Sequence, residues 1–375
     1  MSSRTLNRSD LVVLAGSAIA VVLAGVTRYT HAGAVLPFVV AAVAVALLAS
    51  LVGRCVDQLG DRFGAGATGV LQSALGNLPE LFIGYFALRS GLLDVVRAAV
   101  IGSILANILL VLGLAFVVGG VRHGTLEFSS HRARTTTVLL FLATAALVLP
   151  SVASYVHTPA EPHERQLSLI VSVVLLVLFV LSLPASLRRG HGGSTPASAT
   201  ATDGAPAASV GAGSTEAEPT EAARWPVWLA VGLLAASGVL AALVSDWFVY
   251  ALQPAIGALH MSQAFAGLIV VAIAGNAVEN FVGIQLAARG QADYAVSVIV
   301  NSPLQIALVL APVLVLLSLT TATALTLVFA PMLVIAVVVS VLAVSLIVYD
   351  GESNWLEGAT LIALYMIIAT VFWWG

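Results

Sequence analysis

The chain has 375 residues, of which 60% are hydrophobic and only 9% charged, against roughly 25% charged in an ordinary soluble domain. So apolar a chain cannot keep a water-facing surface, and a net charge of -3 gives no electrostatic ground for binding nucleic acid. Cys55 is the only cysteine, which excludes an internal disulfide and argues against a cysteine-based zinc centre.

About 20 apolar residues cross the roughly 30 Å of hydrocarbon in a bilayer, and that rule predicts the elements in chain order. The first stretch, 10–27, follows Arg4 and Arg8 but lacks a small-x-small cleavage site, so it reads as a retained span rather than a signal peptide. Further spans are expected at 33–53, 64–89, 93–119, 134–154 and 165–187. Residues 188–224 then turn to Gly, Ser, Thr, Ala and Pro, a composition that cannot bury a core and reads as a flexible linker. After it come 225–251, 263–289, 291–317, 324–349 and 355–373. The expectation is an all-α polytopic membrane protein of eleven spans. Its parts are a tail and first helix (1–32), a first block (33–187), the linker (188–224) and a second block (225–375).

Arginines in short loops stay in the cytoplasm. Eleven of the 15 basic residues, all of them arginine, fall on the side of the N-terminus, against Arg28, Arg89, Arg97 and Arg165 on the other. The N-terminus and linker are therefore expected inside and the C-terminus outside. The exclusive use of arginine, with much alanine, points to a GC-rich bacterium and hence to its inner membrane. Trp373 and Trp374 read as an interfacial aromatic anchor.

An internal repeat organises the blocks. Gly76-Asn77-Leu78-Pro79-Glu80 aligns without a gap on Gly275-Asn276-Ala277-Val278-Glu279, a shift of 279 - 80 = 199. At the same shift Asp94 falls on Asp293 and Ser103 on Ser302. The two motifs lie five spans apart, and an odd separation makes the copies cross in opposite directions. The predicted architecture is one extra N-terminal helix plus two inverted-topology five-helix repeats.

Glu80 and Glu279 then sit near mid-span, where a charge costs at least about 3 kcal/mol. A structural pair satisfied by neighbouring amides is the bland reading. Recurrence of the same acid in both copies, each after Gly-Asn, favours a functional one. Two carboxylates neutralise a divalent cation, and hard cations such as Ca²⁺ take six to eight oxygen ligands. Asn77 and Asn276 lie one turn before the acids. Gly76 and Gly275 loosen the helices so that carbonyls can turn toward an ion, while Ser103, Ser302 and Gln305 follow on the next spans. Without metal the two close acids repel and take up protons instead. A site that holds either a cation or protons is the physical basis of an antiporter.

These residues bring the sequence to a known family. Gly76-Asn-Leu-Pro-Glu80, Gly102-Ser-Ile-Leu-Ala-Asn107, Gly275-Asn-Ala-Val-Glu279 and Ser302-Pro-Leu-Gln305 resemble the signature repeats of the Ca²⁺/H⁺ exchangers of the cation/Ca²⁺ exchanger superfamily. The resemblance implies Ca²⁺ export driven by proton entry through alternating access, with no cofactor and no enzymatic activity. It makes Glu80 and Glu279 the central acids and the residues around them their shell. Asp57 and Asp246 resemble access-path or secondary-site acids on the second and seventh helices. Asn280 stands where the family usually has His, and Pro79 is more like the sodium-coupled branch, so a Na⁺-coupled or Na⁺/H⁺ exchanger is the alternative. An intramembrane hydrolase would need paired catalytic Asp, a Ser-His pair or His-Glu metal spacing within spans, and none appears. The expected partners are Ca²⁺, protons and the lipid bilayer, with a homo-oligomer left open.

Overall fold

In hydrocarbon every backbone N–H and C=O must find its partner inside the protein, so a long apolar run has little choice but helix. The computed structural model describes residues 6–30, 32–63, 71, 75–189 and 225–374, and the side chains of 61, 63, 183–189 and 278–280 lie outside that description. Most of the linker and the first part of the third expected span are therefore outside the described residues.

The helices follow one another as α1 (Arg8–Tyr29), α2 (Val35–Phe63), α3 (Leu78–Arg89), α4 (Leu93–His123), α5 (Ser130–Tyr155) and α6 (Glu164–Arg189). Beyond the linker come α7 (Val227–Leu259), α8 (Gln263–Gly275), α9 (Ala277–Ala288), α10 (Ala292–Thr320), α11 (Pro331–Ile347) and α12 (Trp355–Trp373). Among the described residues, eight segments are long and apolar enough to cross a bilayer, covering α1, α2, α4, α5, α6, α7, α10 and α12. Helices α8 and α11 are shorter apolar helices.

Helices α4 and α10 form the centre. Residues inside the protein make up 72% of the apolar window of α4 and 56% of that of α10, against 22% for α1 and 17% for α6. Their small residues allow the close approach that packing in a membrane relies on. A Cβ on Gly102 of α4 would stand 2.2 Å from the Leu268 carbonyl oxygen of α8, and one on Gly267 of α8 would stand 2.3 Å from that of Val95. The two backbones cross in direct contact there.

Three expectations change. The spans expected over 64–89 and 263–289 are interrupted, at Gly76-Asn77 before α3 and at Asn276 between α8 and α9. The span expected from 324 starts only at Pro331. Proline fits the first helical turn but pushes the residue before it out of the helical region, and Ala330 has ψ 143. The preceding segment is non-helical yet buries Leu325, Leu327 and Phe329. Hydroxyls hold its backbone: Ser318 accepts from Leu325 N at 2.8 Å, Ser168 from Leu327 N at 2.9 Å and Ser151 from Phe329 N at 2.9 Å. Finally, the fold is not wholly helical. Strands β1 (Leu126–Glu127) and β2 (Glu352–Ser353) pair antiparallel, joining the loop before α5 to the loop before α12.

The Gly102 contact generates a prediction. Gly102→Ala drives a methyl group into the Leu268 backbone, and overpacking of this kind costs about 1–3 kcal/mol. The solubilised variant should melt clearly below wild type, and an unchanged melting temperature would mean the helices do not cross so closely.

Candidate functional site at the paired helix breaks

Each Gly-Asn pair stands directly before a helix, and the second also ends α8. Asn77 (φ -94, ψ 20) stands before α3 and Asn276 (φ -87, ψ 21) before α9, so the two breaks have nearly the same backbone. Glu80 and Glu279 consequently fall in the first turns of α3 and α9. A helix start carries partial positive charge that favours a carboxylate, while the carbonyls ending the segment before it lose their helical partners. A break inside a buried helix pair thus supplies charge compensation and oxygen ligands together.

The breaks meet. Glu80 is 5% exposed and lies against Gly275 of the other copy, where a Cβ would come 2.6 Å from Glu80 Cγ and 3.0 Å from Oε1. Only a residue without a side chain leaves room for the acid there. Glu80 and Ser103 also line a small cavity of about 20 Å³, otherwise walled mainly by apolar side chains such as Ile83, Leu310 and Leu314. That is room for a single water-sized species.

Asn276 is fully buried and joins the second copy to the first. Its Nδ2 donates to Ser103 Oγ and to Ala272 O, both at 2.9 Å, and its Oδ1 accepts from Asn107 Nδ2 at 2.9 Å. Asn107 was quoted in the sequence only as part of a motif, without a role. Its place within the same helix as Ser103, one turn on, was the available signal, but which partner it meets depends on how α4 crosses the second copy. Asn107 lies in the π-helical turn Ala106–Val111, and another such turn, Ile306–Leu310, sits at the matching place in α10. Turns of this kind widen a helix and are frequent at functional sites.

Of the remaining candidates, Asn77 and Ser302 are buried, Gly76 and Gln305 are partly buried, and the Glu279 side chain lies outside the described residues. Asp57 on α2 and Asp246 on α7 are exposed, unlike this buried group. The matched acids Asp94 and Asp293 end in ion pairs, with Arg97 at 3.0 Å and with Arg132.

A helical membrane fold with a buried acid at the meeting point of two matched helix breaks defines a class, the ion-translocating proteins. The family of the sodium/calcium exchanger proteins matches residues 33–187 and 229–374. A Ca²⁺/H⁺ antiporter of Bacillus subtilis is 35% identical over 89% of this chain and 91% of its own, and one of Synechocystis is 35% identical over 89% and 90%. The solved structure of native YfkE superposes with a TM-score of 0.76 at 33% identity, covering 97% of this chain and 98% of that one. The chain belongs to the sodium/calcium exchanger family, and the resemblance to its Ca²⁺/H⁺ exchangers stands.

The Glu80–Gly275 contact is testable by a double-mutant cycle. Gly275→Ala alone should lower the melting temperature of the solubilised protein, whereas in a Glu80→Ala background the same change should cost much less, because the atoms it strikes are gone. Equal costs in both backgrounds would show that the acid does not rest on Gly275.

Proposed function

We propose that this protein is a secondary active antiporter that exchanges Ca²⁺ for H⁺ by alternating access, with Glu80 and Glu279 binding either the cation or protons. The observation that carries the proposal is the buried carboxylate of the first copy resting on the glycine of the second copy's motif, four residues before its acid. The relatives that are Ca²⁺/H⁺ antiporters support the choice of ions. Oxygen atoms of Asn77, Ser103, Ser302 and Gln305, with carbonyls at Gly76 and Gly275, complete the shell of a hard cation, and Asn276, expected in that shell from the sequence, supports it through its bonds to Ser103, Ala272 and Asn107. Two acids neutralise a divalent ion, and when it leaves two carboxylates close together repel one another, so protons replace it. Asp57 and Asp246, exposed within long helices, line the access path, since an acid at that depth is tolerated where water reaches it. A sodium-coupled or Na⁺/H⁺ exchanger remains the second reading, favoured by Pro79 before the first acid.

The architecture we propose for this function is the eleven-span inverted repeat in the bacterial inner membrane. Contacts between loops support it, because loops assigned to one side meet one another. On the side assigned to the cytoplasm, Asp10 pairs with Arg54 at 2.7 Å, and Arg62 donates to Trp225 O at 2.8 Å. There too Ser129 N donates to Asp293 at 3.0 Å, and β1 pairs with β2. On the side assigned to the exterior, Arg97 donates to Thr326 Oγ1 at 3.0 Å and Ser262 N to Trp373 O at 3.3 Å. A reporter fused after the C-terminus and active only outside the cytoplasm should therefore be active, and activity at the same point of a reporter that works only in the cytoplasm would overturn the orientation.

Transport separates the two ion readings. In everted vesicles Ca²⁺ uptake should rise when the lumen is acidified and collapse with a protonophore, whereas uptake that needs sodium and ignores the pH gradient would favour the second reading. Glu80→Gln and Glu279→Gln should each reduce uptake to background in protein that still inserts, because a net positive site remains in low dielectric. Asp57→Asn and Asp246→Asn should be partial, since water screens those positions. Near wild-type exchange by Glu80→Gln would refute the central site.

A further inference from the structure

The two helix breaks share a backbone but not a hydrogen-bond pattern. Asn276 is closed in on every side, by Ser103 Oγ, Ala272 O and Asn107 Nδ2, each at 2.9 Å. Asn107 Nδ2 is itself fixed by a second bond to Ser103 O at 2.9 Å. Both amides have an unambiguous orientation, because each nitrogen faces a backbone carbonyl that can only accept. The lock thus ties the break of the second copy to α4 of the first, and Asn107 Oδ1 is its one atom without a hydrogen-bond partner.

The counterpart of Asn276 is Asn77 and that of Ser103 is Ser302, each 199 residues away. The counterpart of Asn107 is 107 + 199 = 306, and Ile306, fully buried, has no side-chain donor or acceptor. The second lock therefore cannot form. Among the described residues neither Asn77 Oδ1 nor Ser302 Oγ has a hydrogen-bond partner, although these residues are only 8% and 5% exposed. Buried oxygens are rarely left so. Asn77 lies one helical turn from Glu80, and an oxygen beside a buried carboxylate suits a cation better than it suits any protein donor withheld from it.

We infer that Asn107 is a positioning residue that locks Asn276 to the first copy, and that Ile306 at the matching place leaves the Asn77 oxygen unlocked, so that of the two asparagines it is Asn77 whose side chain turns to the cation. The Asn276 side chain is scaffold: one lone pair of its oxygen is committed, and its amide cannot turn without breaking three bonds. The Asn77 side-chain oxygen has no such bond to break and can turn toward an ion and away from it. The consequence for the ion rests on the transport reading above, whereas the lock itself does not.

Two measurements on the full-length protein test this. Thermal melts of the solubilised chain read the lock without any ion. Asn107→Leu and Asn276→Leu should each lower the melting temperature by about 2–4 °C, and the double variant should lose clearly less than the sum, since residues in one network are not additive. Additive losses would overturn the lock. Calcium-dependent uptake in everted vesicles reads the asymmetry. Ile306→Asn supplies the missing donor and should raise the KM for Ca²⁺ about tenfold, or 1.4 kcal/mol, with little change in maximal rate, and should add nothing in an Asn77→Ala background. An unchanged KM, with wild type transporting, would overturn the asymmetry. If Ile306→Asn fails to insert, Asn77→Ala alone decides, because its KM must rise to a similar extent. Failure of wild type itself to take up Ca²⁺ would refute the transport reading and the ion half of this inference, while the melts still decide the lock.

Discussion

A helix broken in the middle of a membrane protein must have its freed backbone groups satisfied by the protein itself, because hydrocarbon offers them nothing. That constraint governs this structure. The breaks at Gly76-Asn77 and Gly275-Asn276 are tolerable only where they face each other and the buried helix α4, which is why α4 is the most enclosed of the long helices. Once the breaks are buried there, the first turn after the first break brings Glu80 against the second, and Gly275 is obliged to leave room for it. The site follows from the solution to a packing problem.

The same rule is met differently toward the membrane edges. The non-helical segment before α11 buries three large apolar side chains and has its amides taken by Ser151, Ser168 and Ser318 from three separate helices. Arg97 adds bonds to the Thr326 backbone and hydroxyl. These side chains pin one end of α5, α6 and α10 together. Glycine contacts do the corresponding work at the centre, where Gly113 and Gly358 also let α4 and α12 touch backbone to backbone. A frame held this firmly leaves motion to the parts that are held less. The most exposed long helices, α1, α6 and α7, are those with the least of their surface committed to the interior.

Much of this was legible in the chain itself. Hydropathy placed the helices, because a bilayer sets their length, and a repeat at a fixed shift of 199 picked out the acids, because polar residues at matched places in apolar sequence have no packing reason to recur. Helix starts were less legible: Pro331, not hydropathy, decides where α11 begins, and the short β1–β2 ladder depends on loops more than 200 residues apart. The sequence determined which residues could form a site, since composition, spacing and charge are local properties of the chain. Only the tertiary structure decided how they are used. Asn77 and Asn276 are the same residue in the same motif with the same backbone angles. One is locked by Asn107 across the interface and the side-chain oxygen of the other has no hydrogen-bond partner among the described residues, because a hydrogen bond between helices depends on which side chain the crossing brings within 3 Å and on nothing in the motif itself.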